Sequence, residues 1–284
     1  MTDAFGLRLR ASFRRFGQLC VGIDPHPYLL GEWGLPVSAE GAREFGLRVV
    51  EAAAGVAPVV KPQVAFYERY GSAGFRALED VLAAARETEL LVIADAKRGD
   101  IGTTMDSYGD AWLDPSSPLR ADAVTAAAYQ GLGANAGFLR RARSAGAGVF
   151  VLSATSNPEA RLTQTAILGT GRTVAAGIVD DVFHDNSAAD QDLSADRPGS
   201  VGVVLGATVD LADYGIDTAS LVATPVLAPG FGAQGARYAD VRRLFGEASG
   251  QVLVSASRSL LSAGPAGVAA AVRDASEEVS SCLA

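Results

Sequence analysis

Short apolar runs recur along the chain, separated by longer stretches whose apolar positions return at helical spacing. The runs are Leu19–Ile23, Pro58–Lys61, Leu90–Ala94, Ala123–Ala126, Gly148–Leu152, Val201–Leu205, Thr224–Leu227 and Gln251–Ser255. They are close to continuous rather than alternating, as expected of strands covered on both faces in a parallel sheet. Between them, Ala39–Ala54, Gly74–Glu89 and Ala236–Ala248 predict amphipathic helices. Gly41 stands where a capping box would place Glu or Gln after Ser38, so the start of the first helix is not marked by that motif. Strand-then-helix units in this order predict an α/β fold, a closed (β/α)8 TIM barrel, with an open doubly wound sheet as the alternative.

Length supports the barrel, since such domains run to about 250 residues plus insertions and this chain has 284. One barrel domain over residues 1–284 is therefore expected. Its one long connection, residues 153–200, carries a helical pattern at Thr173–His184 and a polar tail, Asp185–Gly199, that reads as a surface loop. Apolar residues make up 49% of the chain, enough for a large core, yet they form no long uncharged stretch that would span a membrane. The start, Met1–Arg8, mixes charged with apolar residues and lacks the core of a secretory signal, so a cytoplasmic protein is expected. Cys20 and Cys282 lie near opposite ends without metal-binding spacing and read as reduced thiols. A net charge of −8 speaks against nucleic acid or an anionic membrane as partner, though not against an anionic small molecule.

The distribution of basic residues sharpens this picture. Of the 24, only Lys61 and Lys97 are lysines. Arginine serves most surface roles equally well but holds its proton up to a pKa above about 12, so it is a poor proton donor. Two lysines in such a chain are either an accident of composition or groups kept for proton chemistry. Their placement favours chemistry, because both fall at strand C-terminal ends, where barrels of this type carry their active sites. The first strand ends at Asp24-Pro25-His26, the second at Lys61, and the third runs into Asp95-Ala-Lys97-Arg-Gly-Asp100. Asp95 and Lys97 are two residues apart and leave a strand on the same face, with Ala96 turned outward. Gly99 allows the chain to turn before Asp100. A lysine flanked by carboxylates favours its charged form; it is suited to stabilise and then protonate a carbanion, although a plain salt-bridge cluster is the structural alternative.

A second feature follows the seventh strand: Pro229-Gly230-Phe-Gly232-Ala-Gln234-Gly235. Its glycine spacing lets backbone approach a phosphate, or serves a tight turn alone. It lies too late in the chain for a dinucleotide fingerprint, and the next strand leads to Arg258 rather than to an acidic residue. A phosphate monoester held by the loops after strands seven and eight fits better. His26 either lines the mouth or is a loop histidine, and neither it nor His184 belongs to a zinc spacing or a nucleophile triad.

The run Ile93-Ala-Asp95-Ala-Lys97-Arg-Gly-Asp100-Ile101-Gly-Thr-Thr104 closely resembles the signature of the orotidine 5′-phosphate decarboxylase family. Gly22-Ile-Asp24-Pro-His26 and Lys61 are similar to the family's first and second strand ends, Ser156-Asn-Pro158 to a loop whose serine touches the pyrimidine, and Pro229–Gly235 with Arg258 to its phosphate grip. The chain's length and its Ser-Asn-Pro segment resemble the longer bacterial subgroup, type 2. Ser257 departs from the glycine that many members carry before the arginine.

The resemblance implies decarboxylation of orotidine 5′-monophosphate to uridine 5′-monophosphate in pyrimidine biosynthesis, without metal or organic cofactor. Lys97 would stabilise and protonate the C6 carbanion, Asp95 would lie by the departing carboxylate, and Lys61 and Asp100 would complete the charge network. Asp24, Ser156, Pro229, Gln234 and Arg258 would bind substrate, while Asp100, Ile101 and Thr104 would reach into the other subunit of a homodimer with shared sites. The enzyme alternative is a Mg²⁺-dependent sugar-phosphate decarboxylase or aldolase of the same barrel superfamily, which also uses an Asp-x-Lys-x-x-Asp run. A non-catalytic nucleotide-phosphate binding protein is a third possibility, against which Lys97 counts.

Overall fold

In the computed structural model, which describes residues 3–284, the apolar runs become eight parallel strands. They are β1 (Leu19–Ile23), β2 (Val59–Pro62), β3 (Leu91–Arg98), β4 (Ala123–Ala126), β5 (Gly148–Ala154), β6 (Val201–Leu205), β7 (Val226–Pro229) and β8 (Val252–Ala256). The strands pair in chain order and close through β1 and β8, where Leu19 aligns with Val254, so the fold is the (β/α)8 barrel and not the open sheet. Alternation along the strands makes two apolar layers. Val21, Val60, Val92, Val124, Val151 and Val203 face the surrounding helices, and Cys20, Val59, Leu91, Ile93, Phe150 and Leu253 fill the interior.

The helix Phe5–Phe16, which the hydrophobic pattern did not single out, closes the N-terminal mouth. Phe5, Leu9 and Phe13 fall one above another at four-residue spacing and pack into the interior cluster. The Phe5 ring meets Phe150 edge-on, with centroids 5.9 Å apart. Gly148 at the start of β5 makes room for it, since a Cβ there would lie 2.3 Å from the Phe5 ring. Of the stretch Met1–Arg8, Met1 and Thr2 lie outside the described residues. Among the described residues no helix is long and apolar enough to cross a membrane.

Three predicted helices need adjustment. Ser38 caps Ala39–Ala53 by accepting from the Gly41 amide at 3.2 Å, so a single hydrogen bond marks the start without a capping box. The second helix is Gly71–Arg86, ended by Thr88, whose Oγ1 donates to the Ala85 carbonyl and accepts from the Leu90 amide. The predicted helix Ala236–Ala248 is broken: a 3₁₀ turn at Tyr238–Asp240 leads into Val241–Phe245, and Gly246 stops it at a φ of 49°.

The polar tail after β5 is also partly helical. Thr173 caps a helix at Val174–Ala189 that takes in the first residues of the expected loop. Its buried Asn186 donates to the Val201 carbonyl and accepts from the Val201 amide, fixing the helix to β6. Asp196, further along, pairs with Arg10 and Arg14 and ties the segment to the N-terminal helix.

Candidate active site

The C-terminal mouth opens into a cavity of about 200 Å³, lined at the strand ends by Asp24, Lys61, Asp95 and Lys97 and roofed by Pro229, Gln234 and Arg258. A wider groove by Asp210, Asp217 and Arg243 is shallower and reaches neither lysine. Both lysines thus converge on one site, as their strand-end positions predicted.

Asp95 is the hub of the cluster. Its Oδ2 accepts from Lys61 Nζ at 3.1 Å, and its Oδ1 accepts from Lys97 Nζ at 2.7 Å and from Thr125 Oγ1 at 2.8 Å. Asp95 and Lys61 are 8% and 7% exposed. Burial alone would push the Asp95 carboxyl up, but the two ammoniums and the Lys97 and Thr125 hydrogen bonds hold it well below the usual carboxylate range. Burial would likewise push the Lys61 ammonium down, and Asp95 and Asp24 reverse this and raise it. Both groups are therefore charged at neutral pH. Beneath them, burial pushes the Cys20 thiol up to about 12 despite nearby Lys61, so Cys20 stays a neutral packing residue.

The spacing argument for Asp95 and Lys97 holds in outcome but not in detail. Strand β3 is irregular here: Ala94 aligns with Val124, but Arg98 aligns with Ala126. Lys97 has a φ of 48°, the one positive value at a non-glycine residue among the described residues. That is a strained conformation of the kind that collects at functional sites. Its half-exposed ammonium also donates to Gln63 Oε1 at 3.3 Å. Ala96 packs outward as expected, and Arg98 beside it pairs with Glu68 and lies near the Tyr108 and Trp112 rings. Gly99 answers close approach rather than turning, since a Cβ there would come within 2.9 Å of the Ala127 carbonyl.

Asp100 does not join the cluster of its own barrel. Its Oδ1 accepts from the Ile101 amide at 2.8 Å, outside the cavity lining. Ile101 is 59% exposed and Thr104 is exposed on the following helix, Gly102–Leu113. Ser156 is exposed too, and Ser156 likewise lies outside the lining. His26 packs at a tilt against Phe66, with centroids 4.2 Å apart, as a loop histidine; burial lowers its pKa, with Asp24 opposing and Arg258 adding to the effect.

On the opposite wall all three motif glycines have positive φ: 120° at Gly230, 72° at Gly232 and 107° at Gly235. The amides of Gly232, Gly235 and Ala236 close the turn itself, donating to Ala236, Gly232 and Gly230 carbonyls. The turn thereby carries Gln234 over the cavity, facing Arg258 from the end of β8. Two buried polar atoms at this mouth, Asp24 Oδ1 and Ser257 Oγ, have no hydrogen-bond partner in the protein. Such atoms are costly unless a ligand pairs with them.

Sequence reasoning missed Thr125 and Gln63. Both carried a signal: Thr125 is the polar residue in an otherwise apolar strand, and Gln63 is two positions beyond Lys61 on the same face. Leu152, Val204 and Leu227 give the cavity an apolar side. Among the described residues no group of three or more His, Cys, Asp and Glu is arranged to hold a metal ion.

A (β/α)8 barrel with buried charges and a glycine-rich turn at its C-terminal mouth defines the class of phosphate-ligand barrel enzymes. The chain belongs to the orotidine 5′-phosphate decarboxylase / HUMPS family, whose model matches residues 17–273. An orotidine 5′-phosphate decarboxylase of Salinispora arenicola is 48% identical over 277 residues, covering 98% of this chain and 96% of that protein. One from Corynebacterium glutamicum is 45% identical and covers 92% of this chain and 91% of its own. A crystal structure from Streptomyces avermitilis superimposes with a TM-score of 0.91 at 42% identity, covering 99% of this chain and 96% of that one. The Leishmania donovani OMP decarboxylase has a TM-score of 0.77 at 28% identity, with 98% of each chain covered.

Proposed function

We infer that this enzyme decarboxylates orotidine 5′-monophosphate to uridine 5′-monophosphate, a step of pyrimidine biosynthesis. The observation that carries the reading is the Lys61–Asp95–Lys97 array facing Gln234 and Arg258 across one small cavity, in a chain nearly half identical over its length to a named decarboxylase. Arg258 and Gln234 grip the phosphate, and Asp24, with its unpartnered buried oxygen, accepts from a ribose hydroxyl. Ser156 closes over the pyrimidine and Pro229 packs against it.

With the nucleotide so held, the C6 carboxylate lies against Asp95, a group whose charge is fixed by its neighbours. The bond from C6 to the carboxylate carbon breaks, CO₂ departs, and the electron pair remains on C6. The Lys97 ammonium stabilises that carbanion and transfers a proton to it; water later restores the proton. Preorganised charge of this type is worth most where the charge develops, and phosphate binding remote from C6 supplies the energy for closing the site.

The reaction so drawn needs no metal or organic cofactor. Enzyme assayed with orotidine 5′-monophosphate in EDTA should keep its full rate. Activity that depends on added Mg²⁺ would point instead to the sugar-phosphate branch of the superfamily, and binding without turnover would point to a nucleotide-phosphate binding protein.

Activity also requires a homodimer in the cytoplasm, with Asp100, Ile101 and Thr104 of each subunit completing the other's site. The exposed Ile101 and Tyr129, 59% and 89% accessible, support this reading, as does the placement of Asp100 outside its own cavity. Mixing inactive Lys97→Ala and Asp100→Ala enzymes should restore part of the activity through hybrids with one intact site. No recovery despite proven subunit exchange would contradict sharing.

A further inference from the structure

Asp95 and Lys97 sit where the ladder between β3 and β4 breaks. Ala94 still aligns with Val124, and the next alignment is Arg98 with Ala126, so three residues of β3, 95–97, span the register of Thr125 alone. In that gap the Lys97 amide donates to the Thr125 hydroxyl at 2.9 Å, in place of a strand carbonyl. An amide can only donate, so the same hydroxyl turns its own hydrogen to Asp95 Oδ1, 2.8 Å away.

We propose that Thr125 is a positioning residue for the decarboxylation, its hydroxyl bridging the Lys97 backbone and the Asp95 carboxylate. The proposal rests on the assignment of Asp95 and Lys97 to the reaction. Thr125 is 1% exposed, so water does not readily replace it. Its first bond holds Lys97 at a φ of 48°, a conformation that persists only when the surroundings impose it. Its second bond fixes the rotation of the carboxylate, leaving Oδ1 toward Lys97 and Oδ2 toward Lys61. Valine matches threonine in shape but leaves the Lys97 amide without its acceptor and removes one of the three donors to Asp95. The ammonium then loses its fixed position over C6, whereas Gln234 and Arg258 on the opposite wall are untouched.

The test compares steady-state kinetics of wild type, Thr125→Val, Thr125→Ser, Thr125→Ala and Lys97→Ala with orotidine 5′-monophosphate. Thr125→Val should lower kcat by about 10- to 100-fold and leave KM within about threefold, because the lost bonds position the reacting groups and not the phosphate. Thr125→Ser should recover kcat to within about threefold of wild type, since it restores the hydroxyl. Hydrogen exchange at the Lys97 amide should accelerate in the valine and alanine variants only. If Thr125→Val does not fold, Thr125→Ala must show the same kcat loss. A hydroxyl-free variant within about twofold of wild-type kcat, or a serine variant as slow as valine, overturns the proposal. Wild-type turnover by Lys97→Ala would instead bring down the underlying assignment of the site.

Discussion

At the N-terminal mouth of the barrel, Phe5, Leu9 and Phe13 descend from one helix into a layer of apolar strand residues, with Gly148 shaped to receive the Phe5 ring. At the C-terminal mouth the same strands end in two lysines, the buried Asp95 and the part-buried Asp24, a strained Lys97 backbone and two polar atoms without partners. One end is packed as a core, and the other departs from core rules at nearly every position. The contrast teaches where each kind of residue works: close packing at one end holds the strands in register, and the strands carry charge and strain at the other.

The largest effect should come from the hub. Asp95→Asn should cut turnover by about a thousandfold or more, because it removes the charge that orders both ammoniums. It also strands the buried Lys61 and should destabilise the fold by about 3–5 kcal/mol. Replacing Lys61 and Asp95 together with Met and Leu should return much of that stability without activity. Recovery of both would show that the pair only supports the fold.

At the other mouth, Phe5→Ala should cost about 3–5 kcal/mol of stability by opening a cavity against Phe150 and leave kcat of the folded enzyme unchanged. A large fall in kcat at full stability would erase the distinction between the two ends.

The smallest effect is in acid. The Asp95 carboxyl is depressed in the folded state, so its contribution to stability is present above the unfolded value of about 3.9 and is lost as pH falls below it. Wild type and Asp95→Asn should therefore differ in stability across neutral pH and begin to converge as pH falls below about 4, completing only under much stronger acid. A difference that does not shrink at all below about pH 4 would mean that the ion pairs do not hold the Asp95 carboxyl below its unfolded value.

Much of this was legible in the sequence where local pattern decides the outcome. β1, β4 and β6 lie at the residues their apolar runs marked, and the strand-end lysines meet as their positions required. Less visible were features decided by contacts between distant segments. The N-terminal helix is amphipathic on its own, but only the barrel interior shows what its apolar face covers. Gly246 ends the helix predicted at 236–248 by its backbone, against a hydrophobic period that continues past it. The irregularity at Asp95–Lys97 was hidden because a regular strand predicts the same facing for both side chains. Thr125 was overlooked as a single polar residue in an apolar strand, and its importance depends on that irregularity. Asp100 falls with Asp95 and Lys97 by spacing, yet its carboxylate accepts from the Ile101 amide and the residue lies outside the cavity lining.

In the proposed mechanism Lys97 delivers the proton that replaces CO₂ at C6. Loss of orotidine 5′-monophosphate absorbance, followed with wild type and Lys97→Ala at equal concentration, tests it most directly. Wild type should convert the substrate fully to uridine 5′-monophosphate, and Lys97→Ala should be slower by about a thousandfold or more while still folded. Comparable turnover by the alanine variant, or none by wild type, would rule out Lys97 as the proton donor.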